Sequence, residues 1–117
     1  MKAVGQNLSG STFTDVNLSG AAFNDVDLSR AVFNDVNLSA AKLENVNLSA
    51  VSISDCKIVG MIIENVNLSG TAFSNVDLSG AVFNDVNLSA VAIRDCKIDG
   101  MTIEGILVSD LIAAYRK

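Results

Sequence analysis

The chain has 117 residues, half of them hydrophobic, a formal net charge of −5, and no histidine, proline or tryptophan. That length predicts one domain, and the missing histidine removes the commonest general base and metal ligand. Its apolar runs, such as Met61-Ile62-Ile63, are too short to span a bilayer, while the acidity opposes direct nucleic-acid binding and suits either plain solubility or a basic protein surface.

Residues 1–5 (MKAVG) read as a lead-in, too short for a lid. The first coil is therefore expected to be exposed, to stack on another chain, or to follow further sequence. No basic, apolar leader precedes it, so a cytoplasmic protein is expected.

From Gln6 to Gly105 nearly every fifth residue is Leu, Phe or Ile, from Leu8, Phe13 and Leu18 to Ile93, Ile98 and Ile103. The residue two before each is small or apolar, as with Val16, Ala21 and Val26. Twenty such units follow without insertion, the signature of a repeat architecture. A helix advances about 100° per residue, so units of five would land about 140° apart and smear the apolar stripe. A continuous strand fails as well. Ala21 and Phe23 share a face, but Val26 would point the other way.

The chain must therefore turn a corner in every unit. The corner residues are Ser19-Gly20, Asn24-Asp25, Ser69-Gly70 and Asn84-Asp85, all turn formers. Corners alternate between Ser-Gly/Ala and polar-Asp/Asn with a period of ten, so four sides stack like on like and three would not. VSISDCKIVG at 51–60 recurs as VAIRDCKIDG at 91–100, two twenty-residue coils later. The expectation is about five four-sided coils stacked about 4.8 Å apart. Leu8, Leu28, Leu48, Leu68 and Leu88 would line one face and Leu18, Leu38, Ile58, Leu78 and Ile98 the opposite one.

These units resemble the pentapeptide-repeat family, whose motif is A(D/N)LXX. Ala21-Ala22-Phe23-Asn24-Asp25, Val26-Asp27-Leu28-Ser29-Arg30 and Val76-Asp77-Leu78-Ser79-Gly80 fit it as they stand. The resemblance covers residues 6–105 and implies an all-β fold, a right-handed quadrilateral parallel β-helix. One departure is regular: Val replaces Ala at Val16, Val26, Val36 and Val46. The resemblance also implies two partner classes. Some members imitate DNA and bind DNA gyrase or topoisomerase IV, protecting it from quinolones. Some form homodimers through a C-terminal helix. This chain is shorter than the gyrase-binding members and lacks the protruding loops several of them use.

Asn-Leu-Ser at Asn7, Asn17, Asn37, Asn47, Asn67 and Asn87 spells a glycosylation sequon, which the repeat register produces by itself. Asn47, Asn67 and Asn87 are placed to form an amide ladder. Cys56 and Cys96 share the small inward position two coils apart, beyond disulfide reach, and read as buried small hydrophobes. Asp15, Asp35, Asp55 and Asp95 stack on one corner, interrupted by Asn75. They either accept turn N–H bonds or form an acidic ridge for a basic partner. Asp25, Asp85, Glu44, Glu64 and Glu104 make a second acidic corner. No nucleophile–base pair, phosphate loop or ligand cluster appears, so no catalytic residue, metal site or cofactor is expected.

Residues 106–117 leave the period. Ser109 or Asp110 can cap a short helix, Leu111, Ile112 and Tyr115 give it an apolar side, and Arg116 and Lys117 suit its C-terminal end. This helix serves either as a lid on the last coil or as a dimer contact through Leu111, Ile112 and Tyr115. The function expected is a non-enzymatic scaffold or protein-interaction module with an unknown protein partner and no membrane. The alternative is an acidic DNA mimic that binds a type II topoisomerase.

Overall fold

The computed structural model describes residues 2–115, except for the side chain of Tyr115. The chain coils as a parallel β-solenoid of about five four-sided turns. Most of its strands are short because each unit allows about three extended residues before the next corner, although two run on through a corner to six residues. The strands are β1 (Lys2–Val4), β2 (Thr12–Thr14), β3 (Ala22–Asn24), β4 (Val32–Asn34), β5 (Lys42–Glu44), β6 (Ser52–Ser54), β7 (Ile62–Asn67), β8 (Ala72–Ser74), β9 (Val82–Asn87), β10 (Ala92–Arg94), β11 (Thr102–Ile103) and β12 (Ile106–Leu107), followed by helix α1 (Val108–Tyr115).

Up to β11, odd and even strands fall on opposite sides of the rod. One sheet runs β1-β3-β5-β7-β9-β11-β12 and the other β2-β4-β6-β8-β10. All neighbours are parallel except β12, which is antiparallel to β11. Partners lie twenty residues apart, as in Phe23↔Leu43 and Phe33↔Ile53. The other two sides are held chiefly by single bridges, Asn7↔Asp27↔Asn47↔Asn67 and Asn17↔Asn37↔Lys57↔Asp77↔Lys97, the first continued by the pairing of Asn67 with Asn87. Lys2–Val4 form a first rung because Ala3, in the position that Phe23 holds one coil later, is buried as the larger side chains are.

The corners explain the alternation of residue types. Every fifth residue from Gly5 to Gly100 has positive φ, including Asp15 at 56° and Asp25 at 55°. This left-handed conformation costs most L-residues about 1–2 kcal/mol, while Gly, and to a lesser extent Asn and Asp, adopt it readily. Arg30, Ala40, Ala50 and Ala90 occupy it without that advantage. The Asn-Leu-Ser triplets close the alternate corners. In each, the Asn Oδ1 accepts the Ser N–H two residues on, as in Asn7–Ser9 (3.1 Å) and Asn37–Ser39 (2.9 Å).

Inside, like residues stack on like. Phe13 lies over Phe33 with ring centroids 4.8 Å apart and planes 6° from parallel. The core is continuous from Ala3 to Met101. Among the described residues the one fully buried polar side chain, Thr71, sits in a small inward position and donates its hydroxyl to the Leu48 carbonyl at 2.6 Å.

Candidate functional site

The twenty-residue register brings Asp15, Asp35, Asp55 and Asp95 onto one edge of the rod, with Asn75 between the last two. All are exposed. Their backbone amides bond along the stack: Asp15 N–H donates to the Asn34 carbonyl (3.0 Å) and Asp55 N–H to that of Ser74 (3.1 Å). The corner carboxylates had two readings from the sequence, as acceptors of turn N–H groups or as an acidic ridge. Bonds of the first kind occur at the alternate Ser-Gly/Ala corners, where the Asn or Asp two residues before each Ser accepts its N–H; at the Asp corners the backbone amide is committed to the next coil. Asp55 accepts a bond from Asn75 Nδ2 at 2.6 Å. Asn75 thus relieves the like-charge column where it interrupts it.

Beside this edge runs an open groove of about 700 Å³. Its far wall carries Asn37, Lys57, Asp77 and Lys97, and its floor Val36, Cys56 and Val76. Asp77 is held below its ordinary value, first by the Ser79 hydroxyl and backbone N–H, then by Lys97 and Lys57. Asp27, on the opposite side of the rod, is lowered in the same way by the Ser29 backbone N–H, the Ser29 hydroxyl and Arg30. Lys57 and Lys97 had no place in the sequence-based site. Reading the column Asn17-Asn37-Lys57-Asp77-Lys97 at a spacing of twenty would have found them.

Cys56 donates to the Ser54 carbonyl at 3.1 Å, and burial, with Asp35 and Asp55 nearby, pushes its thiol up. A thiol so placed is a poor nucleophile. Cys96 is half-buried and, like Cys56, free. Among the described residues no group of three or more His, Cys, Asp or Glu is placed to hold a metal ion, and no helix is long and apolar enough to cross a membrane.

The second acidic line lies half a coil away, on the diagonally opposite edge, and splits into two adjacent columns. Glu44 pairs with Glu64, while Asp25 and Asp85 belong to the corner column with Asn45 and Asn65. Asn65 donates to Asn45, so amide laddering occurs here. At Asn47, Asn67 and Asn87 the amide oxygen is instead taken by the following Ser. Glu104 follows Glu44 and Glu64 in the register, where its N–H donates to the Phe83 carbonyl at 2.8 Å. It and Gly105 have φ of 51° and 77° and form the two-residue turn joining β11 to β12, and the Glu104 carboxylate accepts the Asp85 N–H at 2.5 Å.

At the C-terminal end the Val108 amide returns to the Met101 carbonyl at 3.0 Å, and α1 packs chiefly on β12. Ser109 and Asp110 fall in the helix's first turn rather than before it, where Asp110 complements the helix dipole. Leu111 and Ile112 are 44% and 38% exposed, and Ile93 on the last coil is 40% exposed. The Tyr115 side chain, Arg116 and Lys117 lie outside the described residues. Ile106 and Leu107, also exposed, were missed as a strand, although the Glu104-Gly105 pair is a hairpin signal.

A four-sided solenoid of five-residue units with left-handed corners defines a class of protein, and the comparisons agree. The chain belongs to the pentapeptide-repeat family: the model for a pentapeptide repeat region matches residues 26–106, and that for pentapeptide repeats matches residues 3–30. It is similar in structure to a pentapeptide repeat protein, Rfr23, from the cyanobacterium Cyanothece 51142 (TM-score 0.58, 20% identity, covering 86% of this chain and 90% of that one). It is also similar to a pentapeptide repeat protein of the Arabidopsis thaliana thylakoid lumen (TM-score 0.64, 24% identity, 83% of this chain), of whose length it spans 64%. QnrB1, a plasmid-mediated fluoroquinolone resistance protein, aligns at 18% identity over 99% of this chain and 95% of that one with a TM-score of 0.27, a likeness that supports no conclusion here. No protein of curated function matches the chain.

Proposed function

We propose that this chain is a non-enzymatic interaction module that presents the acidic edge Asp15, Asp35, Asp55 and Asp95 to a basic protein surface. The observation that carries this reading is the exposure of those carboxylates in a single straight column. At a spacing of about 4.8 Å their fields add. A cytoplasmic setting belongs to the same proposal. Exposed Leu111 and Ile112 add self-association through the C-terminal segment.

The test replaces the four aspartates with asparagine, the residue already tolerated at 75. Basic proteins retained from lysate by the wild-type chain at low salt should be lost by the variant and by the wild type at high salt. Equal retention by both chains would refute the acidic-edge reading.

A finer reading, in which the chain imitates DNA toward a type II topoisomerase, is favoured by one feature. Acidic lines lie on diagonally opposite edges of a rod 26 × 23 Å across. A gyrase supercoiling assay with added protein tests it, and absence of both inhibition and quinolone protection removes it.

A further inference from the structure

Asp-Gly occurs once in the chain, at Asp99-Gly100, and Asn-Gly nowhere. These dipeptides cyclise readily because glycine has no Cβ beside the backbone nitrogen that attacks the side-chain carbonyl. The attack needs an amide that is not already bonded and a carboxyl free to reach it.

Gly100 ends a column of corners. Below it, Gly20, Ala40, Gly60 and Gly80 donate their N–H groups to the carbonyls of Ser39, Val59, Ser79 and Asp99 in the following coil, at 2.8 to 2.9 Å. The chain turns back between β11 and β12, so no further corner forms above Gly100. Its N–H has no partner among the described residues. The peptide unit joining Asp99 to Gly100 is therefore held on one side only, through the bond from Gly80, whereas those ending at Ala40, Gly60 and Gly80 are held on both. The Asp99 side chain is 79% exposed and lies 3.9 Å from Lys97, an exposed pairing too weak to fix it.

The Asn-Asp corners show the opposite arrangement. The Asn24, Asn34 and Asn84 side chains can cyclise too, but the next N–H is committed in each. Asp25 donates to the Glu44 carbonyl (3.2 Å), Asp35 to the Ser54 carbonyl (3.3 Å) and Asp85 to the Glu104 carboxylate (2.5 Å).

We propose that Asp99-Gly100 is a site of spontaneous covalent modification, at which the Gly100 nitrogen closes on the Asp99 carboxyl and the chain ages to isoaspartate. The N–Cγ bond forms, the C–OH bond of the carboxylic acid breaks, and the amide proton leaves with the hydroxyl as water. The succinimide then takes one water back. Opening at the Cγ carbonyl restores aspartate; opening at the α-carbonyl routes the backbone through Cγ and leaves a free α-carboxylate. No other reactant is needed, and the net charge is unchanged. Isoaspartate adds one methylene to the backbone of a corner that the Met101 N–H closes on the Ile98 carbonyl at 3.1 Å.

The forty-residue echo supplies the control. Lys57-Ile58-Val59-Gly60-Met61 matches Lys97-Ile98-Asp99-Gly100-Met101 at all but one position, and the Gly60 N–H is bonded to the next coil. Val59→Asp sets the same reactive pair in the same local sequence beneath another rung. Wild type and Val59→Asp are aged at neutral pH, folded and in urea. Isoaspartate is read by methyl transfer from S-adenosylmethionine with an isoaspartyl carboxyl methyltransferase, and by splitting of the tryptic peptides without change of mass. In the folded protein it should accumulate at residue 99, and roughly fivefold or more slowly at the introduced aspartate, the factor expected of one net hydrogen bond. In urea the two positions should age alike. Gly100→Ala, a residue accepted at the Ala40 and Ala90 corners, should slow residue 99. Absence of isoaspartate at residue 99 in the folded wild type overturns the proposal, and so do equal rates at the two positions in the folded variant. If Val59→Asp does not fold, hydrogen exchange on the wild type decides. The Gly100 amide should exchange freely while that of Gly80 is protected, and a protected Gly100 amide overturns the proposal.

Discussion

The fourth and fifth coils are built from nearly the same residues and do not have the same environment. Phe73 and Leu78 are 1% and 0% exposed, whereas Ile93, one coil above Phe73 in the same column, is 40% exposed and Ile98 above Leu78 is half-buried. Val76 is buried and Cys96, above it, is not fully so. The column, the corner and the backbone register are unchanged between the two. What differs is whether another rung follows. In a solenoid each unit is stabilised through its nearest neighbours, so a side chain in the last coil makes half the contacts of its equivalent below. Function can be placed at such an end more readily than in the middle, because groups there are left to bind something else.

The sharpest way to test that contrast is to truncate one column at two heights. Phe73→Ala should cost about 3–5 kcal/mol, and Ile93→Ala, half-exposed in the monomer, roughly a third of that. Urea unfolding of both variants, under conditions that keep the chain monomeric, measures the gap; equal losses would mean that the last coil is covered as well as the fourth. A smaller effect is expected at Thr71. Thr71→Val removes its hydroxyl bond to the Leu48 carbonyl, which keeps a bond from the Val51 amide. The cost should be about 1 kcal/mol, read from the same unfolding curves.

Corners should behave differently from columns, since their strain is local. Ala50→Gly and Ala90→Gly each remove a left-handed alanine and should stabilise by up to about 1 kcal/mol, alike in the middle and near the end. Unequal shifts in thermal midpoint would show that the corner senses the missing rung.

The smallest effect is electrostatic. Asp27 and Asp77 have folded values below the ordinary 3.8, so their contribution is fully present above that value and is lost as pH falls through the lower folded one. Acid unfolding curves of Asp77→Asn should therefore be flatter than wild type below pH 3.8 and parallel to it above. A difference that grows toward neutral pH would contradict the assignment.

Much of this molecule can be read from the chain alone where the period is regular. Leu28 over Leu48, Phe13 over Phe33 and the alignment of Asp15, Asp35 and Asp55 all follow from counting in fives and then in twenties. Three things did not. Ala3 forms part of a strand although it lacks the large side chain that marks the period, because its partner Phe23 supplies the contact. The Asn-Leu-Ser asparagines close the Ser-Gly/Ala corners by accepting the Ser N–H two residues on, rather than laddering with one another. The chain beyond Ile103 turns back as β12 before becoming a helix, and that helix leaves the last coil open.

The division has one physical cause. Side-chain periodicity and left-handed corner preference are local, repeated twenty times, and act in the same direction, so the amino-acid sequence determines the five-residue unit, the four-sided coil and the columns. Where the repetition stops there is no averaging. Whether Glu104 and Gly105 reverse the chain, which edge strand is left bare and which apolar side chains stay in water depend on contacts between residues far apart in sequence. Only the tertiary structure decides those, and they are the features that distinguish one end of this rod from its middle.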